Sequence, residues 1–297
     1  MKIFYGIIDN KIDVTNICLE KLLKLNEIII IPKGDGNRAE IFTDPLIGIR
    51  KSIFIEHNNI MNEYKEKIHI EINIKNNTIE TIDENNIIYK INILHSKLKI
   101  TDGEMIDELP EQKMAVRYLK GNEKVLEIGG NIGRNSLIIS SILENSSNLV
   151  TLECDKGVAN VLSINKDLNF MNFNIERSAL SNRKLIQHCM DTMPSDILLP
   201  CYRWVDTITL NRLKNKYNIK FDTLVLDCEG AFYYILMDMP ELLDNIKLII
   251  MENDYNDISH KKYIDDILTK NNFYVAYSES GGWGPCYNNF FETWKKL

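Results

Sequence analysis

The chain has 297 residues, 44% of them hydrophobic and 26% charged, a balance that excludes a disordered chain, a collagen-like chain and a membrane bundle. A chain this long buries about three-quarters of the surface its unfolded form exposes, so disulfides and metals are not required for stability. Its formal net charge of −7 argues against broad nucleic-acid binding, which depends on clustered Lys and Arg.

Up to about residue 104 the pattern is one of short, Ile-rich runs: Ile3–Ile8, Glu27–Ile31, Ser52–Ile55, Lys67–Ile74 and Ile87–Ile93. Several alternate, as in His69-Ile70-Glu71-Ile72, and turn chemistry separates them at Gly34-Asp35-Gly36-Asn37, Asp44-Pro45 and Asn76-Asn77. Residues 1–104 are therefore expected to form a small β-rich accessory module, with one helix near Thr15–Leu25. Arg38 and Arg50 stand out in a dense polar stretch. They are either solvated turn charges or part of an acceptor-binding or dimer surface.

From residue 105 strands and helices alternate. Helices are expected over Asp107–Leu119, Ile132–Leu143, Lys156–Leu168, Tyr233–Leu243 and Lys261–Lys270. Strands are expected over Lys124–Ile128, Leu149–Glu153, Phe221–Asp227, Lys247–Glu252, Phe273–Tyr277 and Asn289–Trp294. Thr223-Leu224-Val225-Leu226 and Leu248-Ile249-Ile250-Met251 are nearly unbroken apolar runs, as a parallel strand covered on both faces requires. Such alternation predicts an open α/β sheet with helices on both sides over 105–297.

In an open α/β sheet the ligand lies at the carboxyl ends of the strands. Here the first strand runs into Glu127-Ile128-Gly129-Gly130-Asn131-Ile132-Gly133. Gly129 and Gly130 permit positive φ or close approach of a ligand, and Gly133 permits tight packing of the helix. The dinucleotide fingerprint is G-x-G-x-x-G. Asn131 stands at the place of its middle glycine and would crowd a pyrophosphate. Glu127 would repel phosphate and welcome an ammonium group. Glu153 ends the next strand, 20 residues beyond Gly133, where a carboxylate accepts ribose hydroxyls. A ligand that is cationic at one end and ribosylated at the other is S-adenosylmethionine. Farther on, Asp227-Cys228-Glu229-Gly230 closes a strand beside the first. Its acids are suited to taking a proton from a hydroxyl nucleophile or to holding a sulfonium or a metal by charge.

With Glu127–Gly133, Glu153, Ser178-Ala179-Leu180-Ser181, Val205–Leu210 and Leu226–Ala231, the sequence resembles the FkbM-type family of S-adenosylmethionine-dependent methyltransferases over residues 106–255. The resemblance implies a Rossmann-like seven-stranded sheet, mostly parallel with the last strand reversed. It implies O-methylation of a small hydroxylated acceptor, a sugar or glycan foremost. Gly129, Asn131 and Gly133 would then line the cofactor and Glu153 would hold its ribose, with Cys154 beside it. Ser178 and Ala179 would lie near the adenine, and Asp227 and Glu229 would face the methyl group. Phe232 stands where the family often has a second Glu.

Other features are less decisive. Trp283, in Ser280–Pro285, either stacks on a sugar or anchors its loop. Tyr233 and Tyr234 read as helix packing, and His260 as an alternative base. No metal is assigned, although Asp227, Glu229 and Glu252 offer hard-cation ligands. The six cysteines show no zinc spacing and read as reduced thiols of a cytoplasmic protein, and no apolar stretch reaches the roughly 18 residues of a membrane span. A monomer and a homodimer both remain open. An NAD-dependent oxidoreductase and a catalytically silent binding module are the alternative functions.

Overall fold

The structure, a computed structural model, describes every residue of the chain except Met190, and Asp191 by its backbone only. The chain divides into two compact units, Met1–Tyr89 and Lys90–Leu297.

The first unit holds two four-stranded antiparallel sheets. One pairs Asn10–Asp13, Lys2–Ile7, Ser52–His57 and Ile60–Tyr64 in that order. The other pairs Leu23–Lys24, Ile28–Ile31, Ile68–Asn73 and Thr78–Asp83. Ile3, Tyr5, Ile29, Ile31, Ile53 and Ile70 share one buried cluster. Four details differ from the sequence reading. Ile87–Ile93 is not a strand: it lies within the helix Glu84–Lys97, and its buried residues Ile87 and Ile91 recur at helical spacing. The division between the units falls inside this helix rather than at residue 105. Asp35 opens the helix Asp35–Phe42 rather than a turn. Arg38 on that helix is neither solvated nor a binding surface. It is 0% exposed and donates to the carbonyls of Pro32 (2.9 Å), Lys65 (3.2 Å) and Ile68 (2.5 Å). Arg50 stays on the surface, 3.5 Å from Glu66.

In the second unit seven strands form one sheet: β1 (Val125–Ile128), β2 (Leu149–Leu152), β3 (Asn174–Glu176), β4 (Thr223–Leu226), β5 (Leu248–Glu252), β6 (Phe273–Glu279) and β7 (Phe291–Lys296). Their order is β3-β2-β1-β4-β5-β7-β6. The first five are parallel, and β7 runs antiparallel to both β5 and β6. This is an open, mostly parallel Rossmann-like sheet with a reversed last strand. Every residue of β1, β2 and β4 is buried, so their apolar runs follow from cover on both faces.

The helices are α1 (Leu109–Tyr118), α2 (Arg134–Ile142), α3 (Lys156–Leu168), α4 (Leu210–Tyr217), α5 (Ala231–Asp238) and α6 (Ile258–Lys270). Their starts are written in the sequence. Asp155 accepts the amides of Gly157 and Val158, Thr209 that of Arg212, and Asp257 that of Ser259. Between β3 and β4 lie elements absent from the sequence reading. Ala179–Leu180 pairs with Thr207–Ile208, and Leu185–His188 is flanked by Asp191–Pro194 and Arg203–Val205 in a three-stranded antiparallel sheet. Runs of two to four residues carry too little periodicity to read. No helix among the described residues is long and apolar enough to cross a membrane.

Candidate functional site

The polypeptide leaves β1 through a turn whose shape is set by contacts with its own neighbours. Gly129 has φ +91°, and a Cβ there would fall 1.5 Å from the carbonyl oxygen of Asp227. Gly133, with φ +95°, caps α2 and lies against Leu162, where a Cβ would meet that side chain at 2.3 Å. The glycines thus answer to close backbone packing and left-handed φ, conditions that a Cβ does not meet.

The amides of this turn are all engaged. Gly129 and Gly130 donate to the Leu152 carbonyl at 3.0 and 2.9 Å, and Gly133 to the Gly130 carbonyl at 2.9 Å. Asn131 donates its amide to Glu153 Oε2 and Ile132 donates to Asn131 Oδ1, each at 2.9 Å. The start of α2 already has an anion. Glu108 accepts from the Asn135 amide (3.3 Å) and from Asn131 Nδ2 (3.3 Å), and it pairs with Arg134 (3.2 Å). A helix N-terminus attracts negative charge, and here the chain supplies it.

Above the turn is one cleft at the carboxyl ends of β1, β2 and β4. Gly129, Asn131, Glu153, Cys154, Ser178, Ala179, Asp227 and Glu229 all line it. Eight of the ten residues singled out from sequence are thus brought together. Glu153 is fixed by the Asn131 amide and by the Asp155 amide (2.7 Å), which leaves lone pairs for a further donor. Burial raises its pKa, and pushes the Cys154 thiol up to about 11. Ser178 donates to Glu176 at 3.1 Å.

Two expectations are corrected. Glu127 is 2% exposed and lies off the cleft, where its carboxylate accepts from Ser136. It is the third residue of a four-residue strand, so the alternation of side chains turns it to a face of the sheet rather than out of its end. Burial pushes it up to about 7, opposed by hydrogen bonds from Ser136 and Thr151. Gly133 also lies off the cleft, as a packing contact beneath it.

Asp227 and Glu229 follow β4 in a tight turn in which Glu229 (φ +50°) and Gly230 (φ +75°) are both left-handed. Asp254, just past β5, holds this turn by accepting the Gly230 amide at 2.8 Å. Burial raises Asp227 well above the usual carboxylate range, and the neighbouring Asp254 adds to it. Burial likewise lifts Asp254 to about 6 and Glu252 to about 12, with a hydrogen bond to Glu111 adding to the Glu252 shift. Asp254, rather than Glu229, joins Asp227 and Glu252 in a group whose carboxylate oxygens lie within 4.8 Å of one another.

The sequence reading missed one wall of the cleft. Leu185, Gln187, Thr192 and Pro194 come from the small antiparallel sheet, and Tyr234 and Asp238 from α5. Tyr234 is therefore a wall residue. Tyr233 stacks on His260 at 3.8 Å between ring centres, 9° from parallel, so both belong to an aromatic cluster rather than to the cleft. Phe232 is core, and Trp283 is 43% exposed. Glu111, on α1, was also missed. The only sequence signal for it is its spacing of three from Glu108.

No family model matches the chain, and no curated protein matches it in sequence. Solved structures that it resembles include an O-methyltransferase from Bacillus cereus in complex with S-adenosylhomocysteine, at 15% identity and TM-score 0.40, covering 71% of this chain and 90% of that one. A ribosomal protein L11 methylase from Lactobacillus delbrueckii subsp. bulgaricus is similar at 13% identity and TM-score 0.42, covering 67% and 82%. Aeropyrum pernix fibrillarin, with natively bound S-adenosylmethionine, is similar at 10% identity and TM-score 0.40, covering 82% and 97%. These likenesses are weak, and the chemistry of the cleft rests on its own residues.

Proposed function

We propose that this cleft binds S-adenosylmethionine and that the protein is an O-methyltransferase acting on a small hydroxylated acceptor, a sugar or glycan foremost, of the FkbM type that its motifs resemble. The observation that carries the reading is the hydrogen-bond accounting of the turn. All five amides from Gly129 to Gly133 are engaged inside the protein, and Glu108 occupies the start of α2. A pyrophosphate therefore finds these turn amides already bonded, where a dinucleotide site must offer them. Glu153 nevertheless lines the cleft with acceptor capacity to spare, which supports its reading as the ribose partner. The fit is to a nucleoside without phosphates.

Glu153 would hold the ribose hydroxyls, with Ser178 and Ala179 beside the base. When bound, the cofactor supplies an electrophilic methyl group. Asp227 or Glu229 would accept the proton of the acceptor hydroxyl or orient it. A carboxyl group raised by burial is a stronger base than one in water, which suits that task. The residue roles, the acceptor class and the accessory role of the first unit belong to this proposal.

The test is the melting temperature with S-adenosylhomocysteine, with NAD as the control. At about 100 times its Kd, a ligand stabilises by about 2.7 kcal/mol, roughly 5–10 °C for a domain of this size. S-adenosylhomocysteine is expected to give such a shift and NAD none. A shift with NAD alone would sink the reading.

A further inference from the structure

Four carboxyl groups meet at the ends of β4 and β5. One oxygen from each of Asp227, Glu252 and Asp254 lies within 4.8 Å of the others, and Glu111, on α1, lies beside Glu252. Among the described residues no Lys or Arg pairs with any of these four, and the nearby Arg134 pairs with Asp107 and Glu108 instead. Gathering carboxylates out of water without a cation is costly.

Asp254 is 5% exposed and gives one oxygen to the Gly230 amide, yet its Oδ2 is buried with no partner. Glu111 is 8% exposed, and its Oε2 is also buried with no partner. Buried polar atoms are ordinarily satisfied, so two orphaned carboxylate oxygens in one group mark a missing ligand.

We propose that Asp227, Glu252 and Asp254 bind one hard divalent cation, with Glu111 held behind Glu252. An all-oxygen, all-carboxylate donor set selects Mg²⁺, Mn²⁺ or Ca²⁺ over softer metals. Because Asp227 also lines the cleft, the cation borders the side where Asp227 and Glu229 meet an acceptor. The site is independent of the cofactor reading, since it stands on residues that cofactor binding does not require.

The experiment titrates Mn²⁺ into the full-length protein without cofactor and reads free Mn²⁺ from its six-line electron paramagnetic resonance signal. One bound ion per chain is expected, with binding at least tenfold weaker in Asp254→Asn and in Glu252→Gln. Asn keeps an acceptor for the Gly230 amide, and neither change adds a buried charge. Both variants are therefore expected to melt no lower than the wild type in the absence of Mn²⁺, which separates lost binding from lost folding. Mg²⁺ or Ca²⁺ should displace the bound Mn²⁺. Absence of stoichiometric binding by the wild type overturns the proposal, and so does equally tight binding by both variants. Either failure leaves the response to S-adenosylhomocysteine as a separate result.

Discussion

The two units bury charge in opposite ways. In the first, Arg38 is wholly enclosed and its guanidinium is shared among backbone carbonyls. Lys51, almost as buried, sits between Asp35 (3.2 Å) and Asp44 (2.9 Å). In the second, Asp227, Glu252 and Asp254 pair with no Lys or Arg among the described residues, and one oxygen of Asp254 and one of the neighbouring Glu111 have no hydrogen-bond partner. Glu127 is intermediate, buried beneath its turn with hydroxyl donors but no cation. A buried charge whose every atom is satisfied holds a fold together. One left unsatisfied is held in place by the fold for something else.

That contrast can be broken most directly at Arg38. Arg38→Met would strand at least three carbonyls in the interior of the first unit, so a loss of roughly 3–5 kcal/mol in urea denaturation is expected. A loss under about 1 kcal/mol would show that its hydrogen bonds are incidental.

Glu127 sharpens the contrast through pH. Its folded pKa is raised, so its contribution to stability is fully present below about 4.5 and disappears as pH rises through about 7. The amount at stake is on the order of 3 kcal/mol, from the size of that shift. Glu127→Gln keeps an acceptor for Ser136 and removes the titration. It is expected to match the wild type at pH 4 and to exceed it in stability at pH 8, as read by denaturant midpoints. Parallel pH profiles for the two proteins would show that Glu127 is not held up by burial.

The smallest effect is expected at Arg50. Its pair with Glu66 is largely in water, so Arg50→Ala should stay within about 0.5 kcal/mol of the wild type. A larger cost would mean that surface pairing, rather than interior satisfaction, sustains the first unit.

Much of the second unit was legible because a parallel sheet imposes strong local rules. Nearly continuous apolar runs gave β4 and β5, strand–helix alternation gave β1 and β2, and the glycine turn marked where the first helix begins. Chain direction alone put Glu153 and Asp227 at strand ends, and both line the cleft. Glu127 was misplaced because proximity to a strand end is not the same as facing out of it. The ligating group was only half visible. Asp227 and Glu252 stand at strand ends, but Asp254 and Glu111 join them through the placement of a loop and a helix, which no local pattern encodes. Ile87–Ile93 misled because Ile favours strands while its spacing here serves a helix. Arg38 looked like a surface charge because the helix that turns it inward begins in residues that favour turns.

The engaged amides of the Gly129–Gly133 turn have a consequence for the life of the protein in a cell. Adenine nucleotides and dinucleotides abound there and share their adenosine with any nucleoside cofactor. A site that told them apart by binding and releasing them would spend much of its time occupied by the wrong molecule. Here the place a phosphate would take is filled by a side chain of the chain itself, Glu108, already bonded to the Asn135 amide. Rejection by like charge and by absent donors acts before binding. The proposed cleft would thus stay vacant at nucleotide concentrations that would swamp an ordinary dinucleotide fold.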